Sequence, residues 1–478
     1  MRDPDVHRAR FGAPRSLYIA EAPAERFLSK EACLALGKRI AAMARGGGST
    51  ALMIQTAWEG NLRWGRNRVN TAGATERSRV TLARTILGAS GEAGTSDLDD
   101  AALAAAVTQA EALRLWHAQR PDQYPVAYQE DPQEIHPVSS PKIWFEQTYT
   151  QSDTARAELL DPIVAETSRL GLLTAGFVQV SGVGAAVYRT APDPLFRYAP
   201  MTKAQFSLTV RDAQGTRSGW AGVDFSDWSR IDPAALARTA IDKCERSKNA
   251  VAIEPGRFTA ILEPQALCDL FDPVMSMLDR QNAEQGIGPF ASARRGFSKI
   301  GEKVMDERIT VSADPMDPDL GFIPFDWSGE PFLDTKWVDQ GYLRALSYTR
   351  YYGVSQLQKD WALPNSTAYR ISGGTTTLDE MIASTERGVL VTRLHGVTVV
   401  DYGSALMQGV TRDGLWLIER GKISKPIKNF RFTESPLFVL NNVEQLGVAR
   451  RVFHPSAPVV VPLIKVRDFS FTGLMDAV

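Results

Sequence analysis

Apolar positions along this chain recur in two periods, and the period switches several times. Leu36, Ile40 and Met43 fall at helical steps between Ser29 and Arg45, and Gly46-Gly47-Gly48 ends the run. Period-two alternation then takes over in ALMIQTAW (51–58), NLRWGRNRV (61–69) and RSRVTLARTIL (77–87), predicting three strands parted by turn residues. A helix is expected from Leu98 to Trp116, opening behind Ser96 and Asp99 in a capping-box arrangement. Pro121, Pro125, Pro132, Pro137 and Pro141 then mark 119–150 as a long irregular connection. A helical segment follows to Leu170, with a restart at Asp161-Pro162. Strands are expected over 177–188 and 204–212, then one to Phe225, before a helix from Asp232-Pro233 to about Lys248.

From Gly256 the pattern is mostly strand. Gln340-Gly341 and Arg420-Gly421 read as hairpin turns. A capping box at Thr377 and Glu380 predicts a short helix ending at Gly388, and Ser435-Pro436 predicts another ending at Gly447. The tail PVVVPLIKVRDFSF closes with a strand, in which Pro462 suggests an edge or a bulge.

One stretch breaks its own pattern. In ALCDLFDPVMSMLD (266–279), Leu267, Leu270, Phe271, Val274 and Met275 make an apolar helical face, yet Pro273 stands in the middle. A proline inside a helix removes a backbone donor and costs roughly 3 kcal/mol. The simplest resolution is that Asp272 caps a second helix that Pro273 opens.

At 478 residues the chain exceeds what one core usually supports, so two or three domains are expected. A net charge of -1 gives no overall field toward nucleic acid or anionic membrane. Three scattered cysteines without a CxxC spacing argue against a disulfide framework. No apolar run reaches membrane-span length, and the opening MRDPDVHRARFGAP lacks a signal-peptide core, so a cytoplasmic location is expected. Arg63, Arg66, Arg68, Arg77, Arg79 and Arg84 lie in the N-terminal strands. They read as a solvated sheet face or subunit contact, the alternative being an anion-binding surface.

Chemistry is scarce at the level of motifs. There is no GxSxG, and Gly403-Ser404 lies in strand and turn; Gly182-Val183-Gly184 lacks the third glycine of a dinucleotide loop. His7, His117, His136, His395 and His454 are too far apart in sequence to supply the close ligand pair usual for zinc. His395 with Asp401 could make a general base and its orienting partner, although a structural or surface histidine is the plainer reading.

The C-terminal third carries a resemblance. The runs TTTLDEMIASTERGVLVTRLHG and TRDGLWLIERGKISKPIKNFRFTESPLFVLNNVEQLG resemble the TldD/PmbA family of metallopeptidase-related proteins. GRFTAILEP (256–264), IGEKVMDERITVSADP (300–315) and GEPFLDTKWVDQGYL agree, and the similarity extends over roughly residues 50–473. It implies an α+β fold: a lead-in and helix over 1–50, an N-terminal α+β domain over 51–250, and a C-terminal β-rich, barrel-like domain over 251–478. It also implies two subunits around an internal chamber, where a zinc ion cuts extended peptide. In the catalytic branch the helix after FTAILEP bears HExxxH, two histidines binding metal and the glutamate acting as base, with a third ligand from a C-terminal cysteine. Counted from Pro264, that motif falls on Asp272 (first histidine), Pro273 (glutamate) and Met277 (second histidine), and no cysteine follows Cys268. The resemblance therefore implies a subunit with no catalytic residues and no metal or cofactor of its own. Its expected partners are a zinc-bearing TldD-like subunit or a second copy, and a peptide or unfolded protein. A peptide-binding or scaffolding homo-oligomer, and a hydrolase recruiting His395, Asp401 or Asp272 without metal, are the alternatives.

Overall fold

The computed structural model describes residues 26–120, 138–191 and 194–475. Lead-in residues 1–25 and most of the proline-rich connection, 121–137, lie outside the described residues. β1 (Ser49–Gly65) is one strand, where the sequence suggested two. The expected break at Glu59-Gly60 disappears because β1 is central, pairing there with Thr75 and Ala74 on one side and Ser181 and Val180 on the other. Gly60 has a packing role instead: a Cβ there would lie 2.7 Å from the guanidinium of the fully buried Arg156. β2 (Arg68–Ile86) returns through Arg66 and Asn67, both left-handed, and β3 (Ala89–Thr95) adds an edge.

β4 (Leu172–Arg189), β5 (Leu195–Asp212) and β6 (Ser218–Phe225) complete an antiparallel sheet in the order β3-β2-β1-β4-β5-β6. Even-numbered residues of β1 from Thr50 to Trp64 are buried, and odd-numbered ones are more open. Helices cover the buried face. α1 (Lys30–Met43), capped by Ser29, and α2 (Asp100–Ala118), capped by Asp99 itself, pack on Leu52, Ile54, Val80 and Leu82. α3 (Glu146–Tyr149), α4 (Asp153–Glu158), α5 (Leu160–Arg169) and α6 (Pro233–Arg246) cover the other end of the sheet, around Trp58, Trp64 and Phe206.

The second sheet follows from β7 (Gly256–Leu262) and encloses α7 (Pro264–Met275), with α8 (Arg280–Glu284) beyond it. Its strands are β8 (Val311–Ala313), β9 (Thr335–Asp339), β10 (Tyr342–Leu343), β11 (Tyr369–Ile371), β12 (Arg387–Val391), β13 (Leu394–Asp401), β14 (Leu406–Thr411), β15 (Leu415–Glu419), β16 (Lys422–Pro426), β17 (Phe430–Glu434), β18 (Val443–Arg451) and β19 (Val459–Leu474). Short helices α9 (Arg350–Tyr352), α10 (Leu378–Ala383) and α11 (Pro436–Asn441) interrupt them. The main path runs β10-β9-β8-β11-β19-β7-β12-β15-β16, and β19 also carries β17 and β18, with β14 and β13 beyond β17. Strands from several sides share one core with α7, the barrel-like arrangement the resemblance implies.

Local expectations differ in a few places. α10 keeps its capping box but ends at Ala383, because Gly388 is drawn into β12 opposite Thr259 and Ile418. α11 ends at Asn441, not Gly447, since Val443–Arg451 pairs with β19. Pro462 sits in a central strand and is tolerated beside a register shift, opposite Ala449.

Candidate functional site around helix α7

α7 runs unbroken through Pro273. Asp272 is a mid-helix residue and caps nothing, so the expected second helix does not form. Tertiary packing overrides the proline: Leu267, Leu270, Phe271, Val274 and Met275 are all buried, and the helix ends two residues later. Asp269 C=O loses its helical donor at Pro273, while Ser276 Oγ donates back to Pro273 O at 2.8 Å. Met277 lies past the helix end, its N–H on Val274 O, and its side chain is buried in the core.

The polar side of α7 faces a segment just before β19. Gln265 grips Phe453 at both ends, Nε2 donating to Phe453 O and Phe453 N–H donating to Oε1, each at 3.1 Å. The same Nε2 donates to Asp269 Oδ1 at 2.8 Å, and Leu394 N–H donates to Oδ2 at 3.0 Å. Burial nevertheless pushes the Asp269 carboxyl up to about 6. One turn further, His454 Nε2 lies 3.1 Å from Asp272 Oδ1. Its Nδ1 lies 3.0 Å from both the N–H and the carbonyl of Ala457. With Nδ1 accepting from Ala457 N–H, the ring proton falls on Nε2, facing the carboxylate.

His454 is held from the other domain as well. Its backbone N–H donates to Asp224 Oδ1 at 2.9 Å, and Arg451 Nη2 donates to Asp224 Oδ2 at 2.6 Å. Asp224 is fully buried on β6. Lys203 stands 4.0 Å from the same oxygen and donates to the carbonyls of His454 and Pro455, at 3.3 and 2.6 Å. Burial pushes the Lys203 ammonium below its ordinary range. The Phe453 ring lies edge-on to Phe177 and Trp220 of the first sheet. Nearby, Asp413 accepts from Ser218 Oγ at 2.8 Å and from Arg393 Nη1 at 3.0 Å, and Arg393 stacks 4.3 Å over Trp220. Residues 451–455 are thus stitched between α7 and the first sheet.

This donor set does not fit the zinc that the resemblance implies for a catalytic relative. Pro273 has no donor, Met277 is in the core, and Asp272 and His454 face each other. Among the described residues no group of three or more His, Cys, Asp or Glu is placed to hold a metal. Cys33 and Cys244 are buried, their thiols pushed up to about 12, and Cys268 is raised by burial beneath Tyr369. None is a thiolate at neutral pH.

Other candidates separate. His395 and Asp401 stand near opposite ends of β13; Asp401 accepts from the N–H and Oγ of Ser404, and His395 lies among Arg412, Arg393 and Asp413. The general-base pair is therefore not assembled within one chain. Gly182 and Gly184 are in mid-β4, packed against Tyr149, Phe27 and Tyr198. The arginines split between the two faces of the sheet: Arg77 pairs with Glu59 at 2.6 Å, whereas Arg84 is buried and donates to Thr50 Oγ1 and to the carbonyls of Arg45, Gly47 and Ser49. They make no single anion surface. A cleft of about 450 Å3 between the domains, lined by Thr216, Ser218, Ser247, Asn249, Gly414 and Asn429 among others, meets this network at Ser218 and includes none of Gln265, Asp269, Asp272 or His454. Sequence reasoning missed His454 and Asp224, since no local spacing links either to α7.

An α+β chain with an antiparallel N-terminal sheet and a β-rich C-terminal sheet enclosing α7 is the class defined here. Residues 255–473 match the family described as the PmbA/TldA metallopeptidase C-terminal domain. A Methanothermobacter thermautotrophicus protein described as a metalloprotease is 25% identical over 234 residues, 47% of this chain and 50% of that protein. The chain thus spans about half the length of this curated relative. Among solved structures, a candidate modulator of a DNA gyrase from Thermotoga maritima superposes with a TM-score of 0.75 at 14% identity, covering 92% of this chain and 100% of that one. A candidate modulator of DNA gyrase from Bacteroides thetaiotaomicron gives 0.76 at 15% (92% and 98%), and TldE from Thermococcus kodakarensis gives 0.71 at 15% (92% and 100%). At those identities the structures speak for the fold. Residues 255–473 thus carry the similarity to the PmbA/TldA metallopeptidase family, and the fold likeness extends over 92% of the chain.

Proposed function

We propose that this chain is the metal-free subunit of a TldD/TldE-type two-subunit metallopeptidase acting on peptides or unfolded proteins. A zinc-bearing relative cuts, while this chain walls the chamber and holds substrate. The observation that carries the reading is the state of α7. Where the catalytic branch carries two histidines and a glutamate, this chain has Asp272 facing His454, a proline, and a methionine buried in the core. Neither a water-activating metal nor a general base at the glutamate position can be built from those side chains.

The test is reconstitution. The purified chain is expected to leave an unstructured peptide intact, and to gain zinc-dependent, chelator-sensitive cleavage when mixed with an HExxxH-bearing relative from the same source. Cleavage by the isolated chain in the presence of chelator would overturn the proposal.

A further inference from the structure

The cleft between the two domains is chemically furnished, although it includes none of the α7 side chains. Its volume of about 450 Å3 is within the range of small-molecule sites. Residues 215–218, which carry β5 into β6, line it from the first domain, together with the stretch that follows α6. Gly414 and Leu415 at the start of β15, and Ile427 and Lys428 after β16, line it from the second. Backbone bonds join the two sides: Val251 N–H donates to Pro426 O at 3.2 Å, and Lys428 N–H to Val251 O at 3.0 Å. The cleft's shape is therefore fixed within one chain.

Its polar groups are of two kinds. Arg217 and Lys428 bring two cations. The Arg217 side chain is 14% exposed, with Nε 4.0 Å from Asp212 Oδ2. Its Nη1 is buried 3.0 Å from Glu245 Oε1, without the alignment of a hydrogen bond. A buried guanidinium donor left over calls for an acceptor, and a planar carboxylate suits it best. The hydroxyls ask for the opposite. Ser218 Oγ donates to Asp413 Oδ1 at 2.8 Å, Ser247 Oγ to Lys243 O at 2.7 Å, and Thr216 Oγ1 to Asp212 Oδ2, so each offers the cleft only lone pairs. Ser247 also marks the C-terminus of α6, the negative end of a 14-residue helix. These features favour an ammonium. A plain anion meets the helix end unfavourably and a plain amine meets the two cations, whereas a molecule carrying both charges satisfies both sets. Leu415, Ile427 and Met475 give the cleft an apolar side.

We infer that this cleft binds a short peptide by its two free ends, the carboxylate toward Arg217 and Lys428 and the ammonium toward Ser247 and the end of α6. Peptides with two free ends are what cleavage of a longer chain leaves, so under the proposed function the cleft is a product site apart from α7. Its readout is binding to this chain alone, which stands or fails separately from reconstituted cleavage. In calorimetry with the full chain, the dipeptide alanyl-leucine should bind one to one. Its N-acetyl and C-amide forms should each bind about tenfold more weakly or worse, since each loses a charge-assisted contact. Arg217→Lys, which removes the guanidinium fork, and Lys428→Met, at an exposed position, should each weaken the dipeptide and narrow its advantage over the C-amide. The advantage over the N-acetyl form should persist in both. Absence of saturable binding, equal affinity for the blocked forms, or wild-type binding by both variants would overturn the inference. So would displacement of the dipeptide by inorganic phosphate, because the cleft would then be a plain anion site.

Discussion

Removing the carboxylate of Asp224 tests the knot that positions His454. Asp224 accepts from Arg451 at 2.6 Å and from His454 N–H at 2.9 Å, with Lys203 at 4.0 Å. Its own side chain is fully buried, and those of Arg451 and Lys203 are 8% and 18% exposed. Asp224→Ala therefore leaves two cations with little water and no counter-charge. Breaking a buried pair from one side costs about 3–5 kcal/mol. For a domain of about 200 residues this lowers the melting temperature by on the order of 10 °C. Urea unfolding at neutral pH measures the loss, and hydrogen exchange over 451–458 should report earlier opening, as that segment loses its hold on β6. Asp224→Leu with Arg451→Met is expected to recover much of the stability, because removing both charges removes the unpaired one. A loss below about 1 kcal/mol for Asp224→Ala, with no gain in the double variant, would refute the view that this buried charge pair joins the two sheets.

Two further outcomes follow from α7. Burial raises the Asp269 carboxyl from 3.8 to about 6, so between those values the folded chain holds a proton that the unfolded chain has lost. Stability contributed at this site falls as pH rises through that window, and the difference between wild type and Asp269→Asn in urea unfolding should shrink from pH 4 to pH 6; a difference independent of pH would contradict the assignment. Pro273→Ala returns a donor to Asp269 C=O and should stabilise, by at most about 3 kcal/mol, offset in part by greater freedom of the unfolded chain. A destabilised Pro273→Ala would mean that the ring's packing outweighs the missing hydrogen bond.

Much of the fold was written in local patterns. Period-two alternation in 49–86, the Ser29 and Thr377 caps, and the Gln340-Gly341 and Arg420-Gly421 turns each report a preference that a few adjacent residues express on their own. The left-handed backbone at Gln340 and Arg420, φ 49 and 52, is the turn geometry those dipeptides predict. The identities of Asp272, Pro273 and Met277, on which the resemblance places the HExxxH motif, were equally legible, because residue identity needs no coordinates. What failed locally failed for a tertiary reason. Glu59-Gly60 looks like a turn until strands flank it on both sides, and Asp272-Pro273 looks like a helix start until a core closes over Leu270, Phe271 and Val274. His454 meets Asp272, and Asp224 holds His454, only because β6, α7 and the approach to β19 converge. Electrostatic pairing acts through space at a few ångströms, so a sequence fixes which charges exist, and the fold alone decides which of them meet.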